Sequence, residues 1–226
     1  MRNLYPLLYV QAVDEAVRRV KEDYVIYPRP GFTGMQRLAA LQWPGDQNTD
    51  WSQSDGLPTA VRAMINVSMA GVPVHGSDIG GWHDIVSPPT DKELFLRWAE
   101  LGAYSPWMRA HGGFLHPVRE PWRFDEETVT IYRRLAEDHT RLFPYLYSWA
   151  VLASRTGEPI VRHPSLLWPG EEVWYGVEDE YLLGDALLVA PVVEQGATSR
   201  EVRFPPGRWR HVETGVVYEL SLIHIS

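Results

Sequence analysis

The sequence predicts an α/β protein, a parallel barrel of the (β/α) type with a smaller β-rich unit behind it. Three observations predict it. Short apolar runs alternate with amphipathic helical stretches, and a polar residue recurs just past the end of the apolar runs. After about Gly157 the helical period gives way to short runs divided by Pro, Gly and charged turns.

Leu8, Ala12, Val13, Ala16, Val17 and Val20 form a helical stripe within Leu7 to Val20, and Arg18, Arg19 and Lys21 suit the carboxyl end of that helix. Tyr24-Val25-Ile26-Tyr27 reads as a short strand broken by Pro28-Arg29-Pro30-Gly31. Leu38 to Trp43 reads as another, stopped by Pro44-Gly45. Gly56 to Ala70 has helical spacing, with Asp55 as its expected cap, and Gly71 to His75 is a short buried strand followed by Ser77-Asp78. A helix from about Asp91 to Tyr104 and a short segment through Trp107 to His111 come next. A long helical stretch then runs from Asp125 to Ser154, started or kinked in its second half by Pro144. Beyond it, Leu187 to Ala190, Glu201 to Phe204 and Val216 to Leu220 read as strands. Residues 221–226 look unrelated to what precedes them and are expected to be a non-native tail.

Composition removes several classes of function. With 226 residues, 45% hydrophobic and 22% charged, the chain has ordinary globular composition. A net charge of -8 without a basic cluster argues against a nucleic-acid partner. No run approaches the roughly 18 apolar residues of a membrane span, and the first residues lack an apolar signal core. The absence of Cys excludes disulfides, thiolate zinc sites and cysteine nucleophiles, while leaving the compartment open, with the cytoplasm favoured. His75, His83, His116, His139 and His163 have no partner at metal-like spacing, so no catalytic metal and no cofactor is expected.

The informative stretches are Trp43-Pro44-Gly45-Asp46, Gly76-Ser77-Asp78-Ile79-Gly80-Gly81-Trp82 and Met108-Arg109-Ala110-His111. Carboxylates at strand ends beside glycine turns and indoles suit glycoside chemistry: an acidic oxygen must reach the glycosidic bond while aromatic faces hold the apolar side of the ring. In this reading Arg29, Asp46, Asp78 and His111 all sit at carboxyl ends of barrel strands, where barrel enzymes gather their chemistry. Trp43 or Trp82 would serve as the sugar platform.

Taken in order, these motifs resemble glycoside hydrolase family 31, to which the α-glucosidases belong. The resemblance runs from about Asn3-Leu4-Tyr5 to Pro205-Pro206-Gly207-Arg208-Trp209. It implies the second half of a (β/α)8 TIM barrel in residues 1–160, truncated at its amino end, and a β-sandwich-type domain in residues 161–220. It also implies retaining hydrolysis by two Asp residues. Asp46 matches the general acid/base. The nucleophile, which in the family lies in an upstream Trp-x-Asp-Met-Asn type segment, has no match, so the chain alone is expected to be inactive and unstable. Arg29, Asp78, Arg109 and His111 match positions that line or brace the sugar subsite, and Asp78 is expected to order Arg109 through a charge-assisted pair.

Gln47 after Asp46, the five residues Leu38 to Gln42 between Arg37 and Trp43, Asp55-Gly56-Leu57 and Lys92 to Trp98 resemble the sulfoquinovosidase-related branch. That branch's sulfonate-contacting Tyr falls at Trp82 here, and an indole cannot copy a phenol hydroxyl. The resemblance therefore implies a carbohydrate partner, a neutral α-glucoside ahead of a sulfoquinovoside or an α-xyloside. A catalytically incomplete sugar-binding or scaffold fragment is the alternative. The oligomeric state is not legible.

Overall fold

The computed structural model describes residues 2–39, 41–116, 119–220 and 224–225. Its first helix, α1 (Leu4–Arg18), starts three residues before the predicted stripe and buries Pro6, Val10 and Asp14. Val10 packs with Met35 and Ala39, flanked by Leu7, Ile26 and Leu38, in a small core of its own.

Two strands form the visible barrel wall: β1 (Leu41–Gln42) pairs parallel with β2 (Val74–His75), in register Leu41 to Val74 and Gln42 to His75. Helices follow each strand. α2 (Leu57–Met69) comes after β1, and α3 (Lys92–Ala103) comes after β2, capped by Asp91, whose carboxylate accepts from Leu94 N at 2.8 Å. α4 (Glu126–Thr156) is capped by Asp125, which accepts from Thr128 N at 2.8 Å, and it stops at Gly157 in a left-handed conformation with φ of 78°. Pro144 lies inside this continuous helix rather than ending it.

Val61, Met64 and Ile65 of α2, Phe95, Trp98 and Ala99 of α3, and Leu135, Leu146 and Trp149 of α4 share one buried cluster. Phe95 stacks on Phe124 at 5.1 Å and on Tyr132 at 5.5 Å. Each such side chain taken fully from water contributes about 1.5–3 kcal/mol. The same cluster includes Ile160 and Val161, Tyr181 and Leu183, so the barrel helices and the strand-rich part share a core. Hydrogen bonds cross between them: Tyr181 OH donates to Tyr104 O at 2.9 Å, and the buried Val161 N donates to Ser68 Oγ at 3.2 Å.

The strand-rich part holds an antiparallel sheet of β3 (Val161–Arg162), β4 (Tyr181–Leu183) and β5 (Leu187–Val189), with a short helix α5 (Pro164–Leu167) after β3. Further on, β6 (Val202–Arg203) pairs with β9 (His224–Ile225), and β7 (Gly207–Arg210) with β8 (Val217–Leu220). Of the expected tail, residues 221–223 and 226 lie outside the described residues. Among the described residues no helix is long and apolar enough to cross a membrane.

Three expectations are corrected. Tyr24–Tyr27 joins no ladder among the described residues; its first side chain is drawn to α1, where Arg18 Nε donates to Tyr24 OH at 2.9 Å. The strand expected over Leu38–Trp43 shrinks to Leu41–Gln42, because Gly34, at φ of 99°, opens a 3-10 turn over Met35–Arg37. Asp55 does not cap α2: Gly56 occupies that position and no side chain caps the helix. A Cβ on Gly56 would lie 2.5 Å from Asp50 O, so that approach requires glycine.

Candidate active site

The parallel pairing of β1 and β2 sets the two following segments side by side, which brings Trp43 and Asp46 near Asp78. A third segment closes on them. A Cβ on Gly76 would lie 2.2 Å from Trp107 O, so only glycine admits this backbone approach. Ile79 N then donates to Arg109 O at 2.9 Å, and Asp78 and Arg109 form a parallel bridge.

Asp78 is the hub, its side chain only 1% exposed. Trp43 Nε1 donates to Asp78 Oδ2 at 3.1 Å, and Arg109 Nε lies 2.9 Å from Oδ1. Burial pushes the Asp78 carboxyl above its ordinary range; Arg109, His111 and the Trp43 bond pull it back, and Asp46 adds to the rise. The Arg109 guanidinium lies over Trp43 at 5.5 Å and over Trp107 at 5.1 Å, and Arg29 lies over Trp43 at 5.5 Å. Stacking of this kind holds a cation without consuming its hydrogen-bond donors.

Asp46 stands at the edge of this cluster, its side chain 24% exposed and 3.7 Å from Arg29 Nη1. The turn before it brings Arg29 close: Gly45 has φ of 111°, and a Cβ there would lie 3.0 Å from Arg29 Nε. Immediately after Asp46, the carbonyl of Gln47 accepts from Trp82 N at 2.9 Å and from His83 N at 2.8 Å. Asn48 Oδ1 lies 3.1 Å from His83 Nδ1. Trp82 in turn faces His111, with ring centroids 6.4 Å apart.

Arg29, Trp43, Asp46, Asp78 and Arg109 therefore form one contiguous cluster, with Trp82 and exposed His111 along its rim. The expectation that all four polar markers end strands holds for Asp46 and Asp78. Arg29 and His111 follow segments that belong to no strand among the described residues. Sequence reasoning missed Trp107 as a partner of Arg109, although it stands two residues away, and missed Phe114, which lies 6.1 Å from Trp82. A cavity of about 400 Å³ lies elsewhere, between α3, α4 and β5 to β8, and shares no residue with this cluster, so the site is chosen on chemistry rather than on volume.

A parallel strand pair followed by carboxylates beside stacked indoles and guanidiniums, with a strand-rich part behind it, defines the class: a segment of a parallel α/β barrel with a polar and aromatic cluster past its strand ends. Residues 1–149 match the TIM-barrel domain of the glycosyl hydrolases family 31, and residues 157–225 match that family's C-terminal domain. The chain belongs to glycosyl hydrolase family 31, in agreement with its motifs. It is 35% identical over 222 residues to a sulfoquinovosidase of Escherichia coli, covering 96% of this chain and 32% of that protein. It is 31% identical to an alpha-glucosidase 2 of Bacillus thermoamyloliquefaciens, covering 100% of this chain and 28% of that one. Among solved structures, a sulfoquinovosidase from E. rectale in complex with the aza-sugar inhibitor IFGSQ superposes with a TM-score of 0.91 at 33% identity, over 99% of this chain and 34% of that one. A Flavobacterium johnsoniae dextranase complexed with glucose gives 0.87 at 31%, over 99% of this chain and 28% of that one. The chain thus spans about a third of the length of these relatives.

Proposed function

We propose that these residues form the general acid/base side of a retaining α-glycoside hydrolase site, with Asp46 as the acid/base. The observation that carries the reading is the placement of Asp46 just past β1, partly open to solvent, 3.7 Å from Arg29 and beside the cluster built on Asp78. Asp46 would protonate the departing glycosidic oxygen and then, as a carboxylate with Arg29 as its charge partner, take a proton from the incoming water. Asp78 does not suit the nucleophile's role, because it is buried and held by Trp43 and Arg109. Retaining hydrolysis needs a second carboxylate about 5–5.5 Å from the first. We assign it to barrel strands in the part of the relatives outside the match. Arg109 and His111 would bind sugar hydroxyls, Trp43 and Trp82 the apolar ring face. The substrate we favour is a neutral α-glucoside, since Trp82 offers an indole where sulfonate recognition would use a phenol hydroxyl.

The test is a chimera in which this chain replaces its matching third of the E. coli sulfoquinovosidase, assayed on aryl α-glucoside and aryl α-sulfoquinovoside with the first-formed anomer followed by NMR. The α anomer should appear first, and Asp46→Asn should reduce turnover about 10²–10⁴-fold on poor leaving groups and far less on activated ones. A folded chimera that binds sugars equally with and without Asp46 and cleaves neither would favour the sugar-binding scaffold instead.

A further inference from the structure

His111 lies on no helix or strand, so its place is set by what holds the chain on either side of it. On one side Arg109 is bridged to Asp78, with Ile79 N donating to Arg109 O at 2.9 Å. On the other, Gly113 packs against Asp84: a Cβ there would lie 2.4 Å from Asp84 Oδ2 and 2.9 Å from Trp82 O, an approach that leaves no room for a side chain.

Asp84 is the centre of the second anchor. Its side chain is fully enclosed, and its oxygens are used separately: Oδ1 accepts from Leu115 N at 2.8 Å and Oδ2 from His116 N at 2.7 Å, with His116 Nδ1 3.3 Å from Oδ2. Buried Arg119 grips the same peptide from its other end, Nη1 donating to His116 O at 2.9 Å while Nε and Nη2 donate to Gly81 O at 3.3 and 3.2 Å. A carboxylate enclosed by protein is costly unless its oxygens are bonded, and here the bonds go to amides of a segment with no strand ladder of its own. The carboxylate therefore fixes the course of residues 113–116.

The same turn reaches the segment that carries Asp46. Trp82 N and His83 N, directly before Asp84, donate to Gln47 O. A continuous path of backbone bonds thus runs from Gln47 through the 82–84 turn to the 113–116 segment, and the bridge between Asp78 and Arg109 holds His111 from its other side.

We propose that Asp84 is a positioning residue for the glycosidase site: by binding the amides of Leu115 and His116 it fixes where the His111 ring stands, beside Trp82, to meet a sugar hydroxyl. This rests on the reading of His111 as a sugar-binding group. Asp84 itself touches no substrate and acts through His111.

The experiment is NMR on the full 226-residue chain and on its Asp84→Asn, Gly113→Ala and His111→Ala variants, reading amide exchange, the contact between the Trp82 and His111 rings, and binding of methyl α-glucoside. Asp84→Asn keeps the size and offers one acceptor where two amides need one each. Gly113→Ala pushes the segment off the carboxylate while leaving Asp84 in place, so the two variants reach one contact by separate routes. Both should speed exchange at Leu115 and His116 at least about tenfold, with the β3 to β5 sheet still protected. Both should also lose the ring contact and weaken glucoside binding about fivefold. His111→Ala should weaken binding as much, and adding Asp84→Asn to it should weaken binding no further. Additive losses in that double variant, or an unchanged ring contact once the Leu115 and His116 amides exchange freely, overturn the proposal and leave the glycosidase reading standing. Loss of protection across the β3 to β5 sheet would make Asp84 a residue of the general fold and overturns it equally. If the wild-type chain binds no glucoside, the glycosidase reading fails and takes the proposal with it.

Discussion

Trp43 and Asp78, thirty-five positions apart, are joined by an indole N–H to carboxylate hydrogen bond of 3.1 Å. The bond ties the segment leaving β1 to the segment leaving β2 at the level where Arg109 completes the cluster. Trp43 thus serves three partners at once, since its ring also lies beneath the guanidiniums of Arg29 and Arg109.

Asp78→Asn should destabilise the fold by about 3 kcal/mol, because the half-buried Arg109 loses its charge partner while staying desolvated against Trp43 and Trp107. Trp43→Phe removes one hydrogen bond and should destabilise by about 1 kcal/mol. In a urea-denaturation double-mutant cycle the two changes should couple by more than about 0.5 kcal/mol. Simple additivity would mean that the indole and the carboxylate act independently.

Gly76→Ala should destabilise by several kcal/mol, because its Cβ would meet Trp107 O at 2.2 Å and backbone cannot yield as a side chain can. Gly170→Ala is the control, since nothing lies within 4 Å of a Cβ there. Thermal melts should separate the two, and equal melting temperatures would show that the Trp107 segment is free to move away.

Much of this was legible in the sequence, and the parts that were not share a cause. Helices α2, α3 and α4 announce themselves through apolar spacing, because that signal is local, and Asp91 and Asp125, read as the first residues of their helices, stand at the caps. Asp46 and Asp78 lie a few residues past the ends of β1 and β2, as their sequence positions suggest, because the strand-then-turn signal is local. Tyr24–Tyr27 was misread because a strand is made by its neighbours, and local composition cannot say whether a neighbour is present. Asp55 was misread because the approach of Asp50 O to Gly56, which fixes glycine at the cap, is a contact between loop residues.

His75 is fully buried on β2, and neither ring nitrogen has a hydrogen-bond partner among the described residues. Burial pulls its pKa down to about 4. Since the unfolded value is about 6.5, the native state holds the neutral ring where the unfolded chain binds a proton. Its contribution is complete above about pH 6.5 and falls as the pH drops toward 4. Between pH 7 and 4.5 the wild type should lose up to about 3 kcal/mol that His75→Leu does not lose, as read by urea unfolding at both pH values.

Glu180 works in the opposite sense. Its carboxylate, just before β4, accepts from Arg200 Nη2 at 2.9 Å and from Arg203 N at 3.1 Å, so it anchors the segment that leads into β6. Burial raises its pKa to about 7, against the pull of Arg200 and of the Arg203 amide. The unfolded value is about 4.5, so between these limits the native state keeps a proton that the unfolded chain has released, and stability falls as the pH rises. The contribution is complete below about pH 4.5 and lost above about pH 7. Glu180→Gln has nearly the same size and cannot titrate, while Arg200 keeps Asp179 at 3.3 Å. Relative to wild type, the Gln variant should therefore gain about 2–3 kcal/mol in urea-unfolding free energy between pH 5 and pH 8. Because Glu180 is still about half protonated at pH 7, the wild type should lose a last few tenths of a kcal/mol between pH 7 and 8. Most of the difference should accrue between pH 5 and 7, and parallel curves across that interval would show that the Glu180 carboxylate is already ionised in the native state at pH 5.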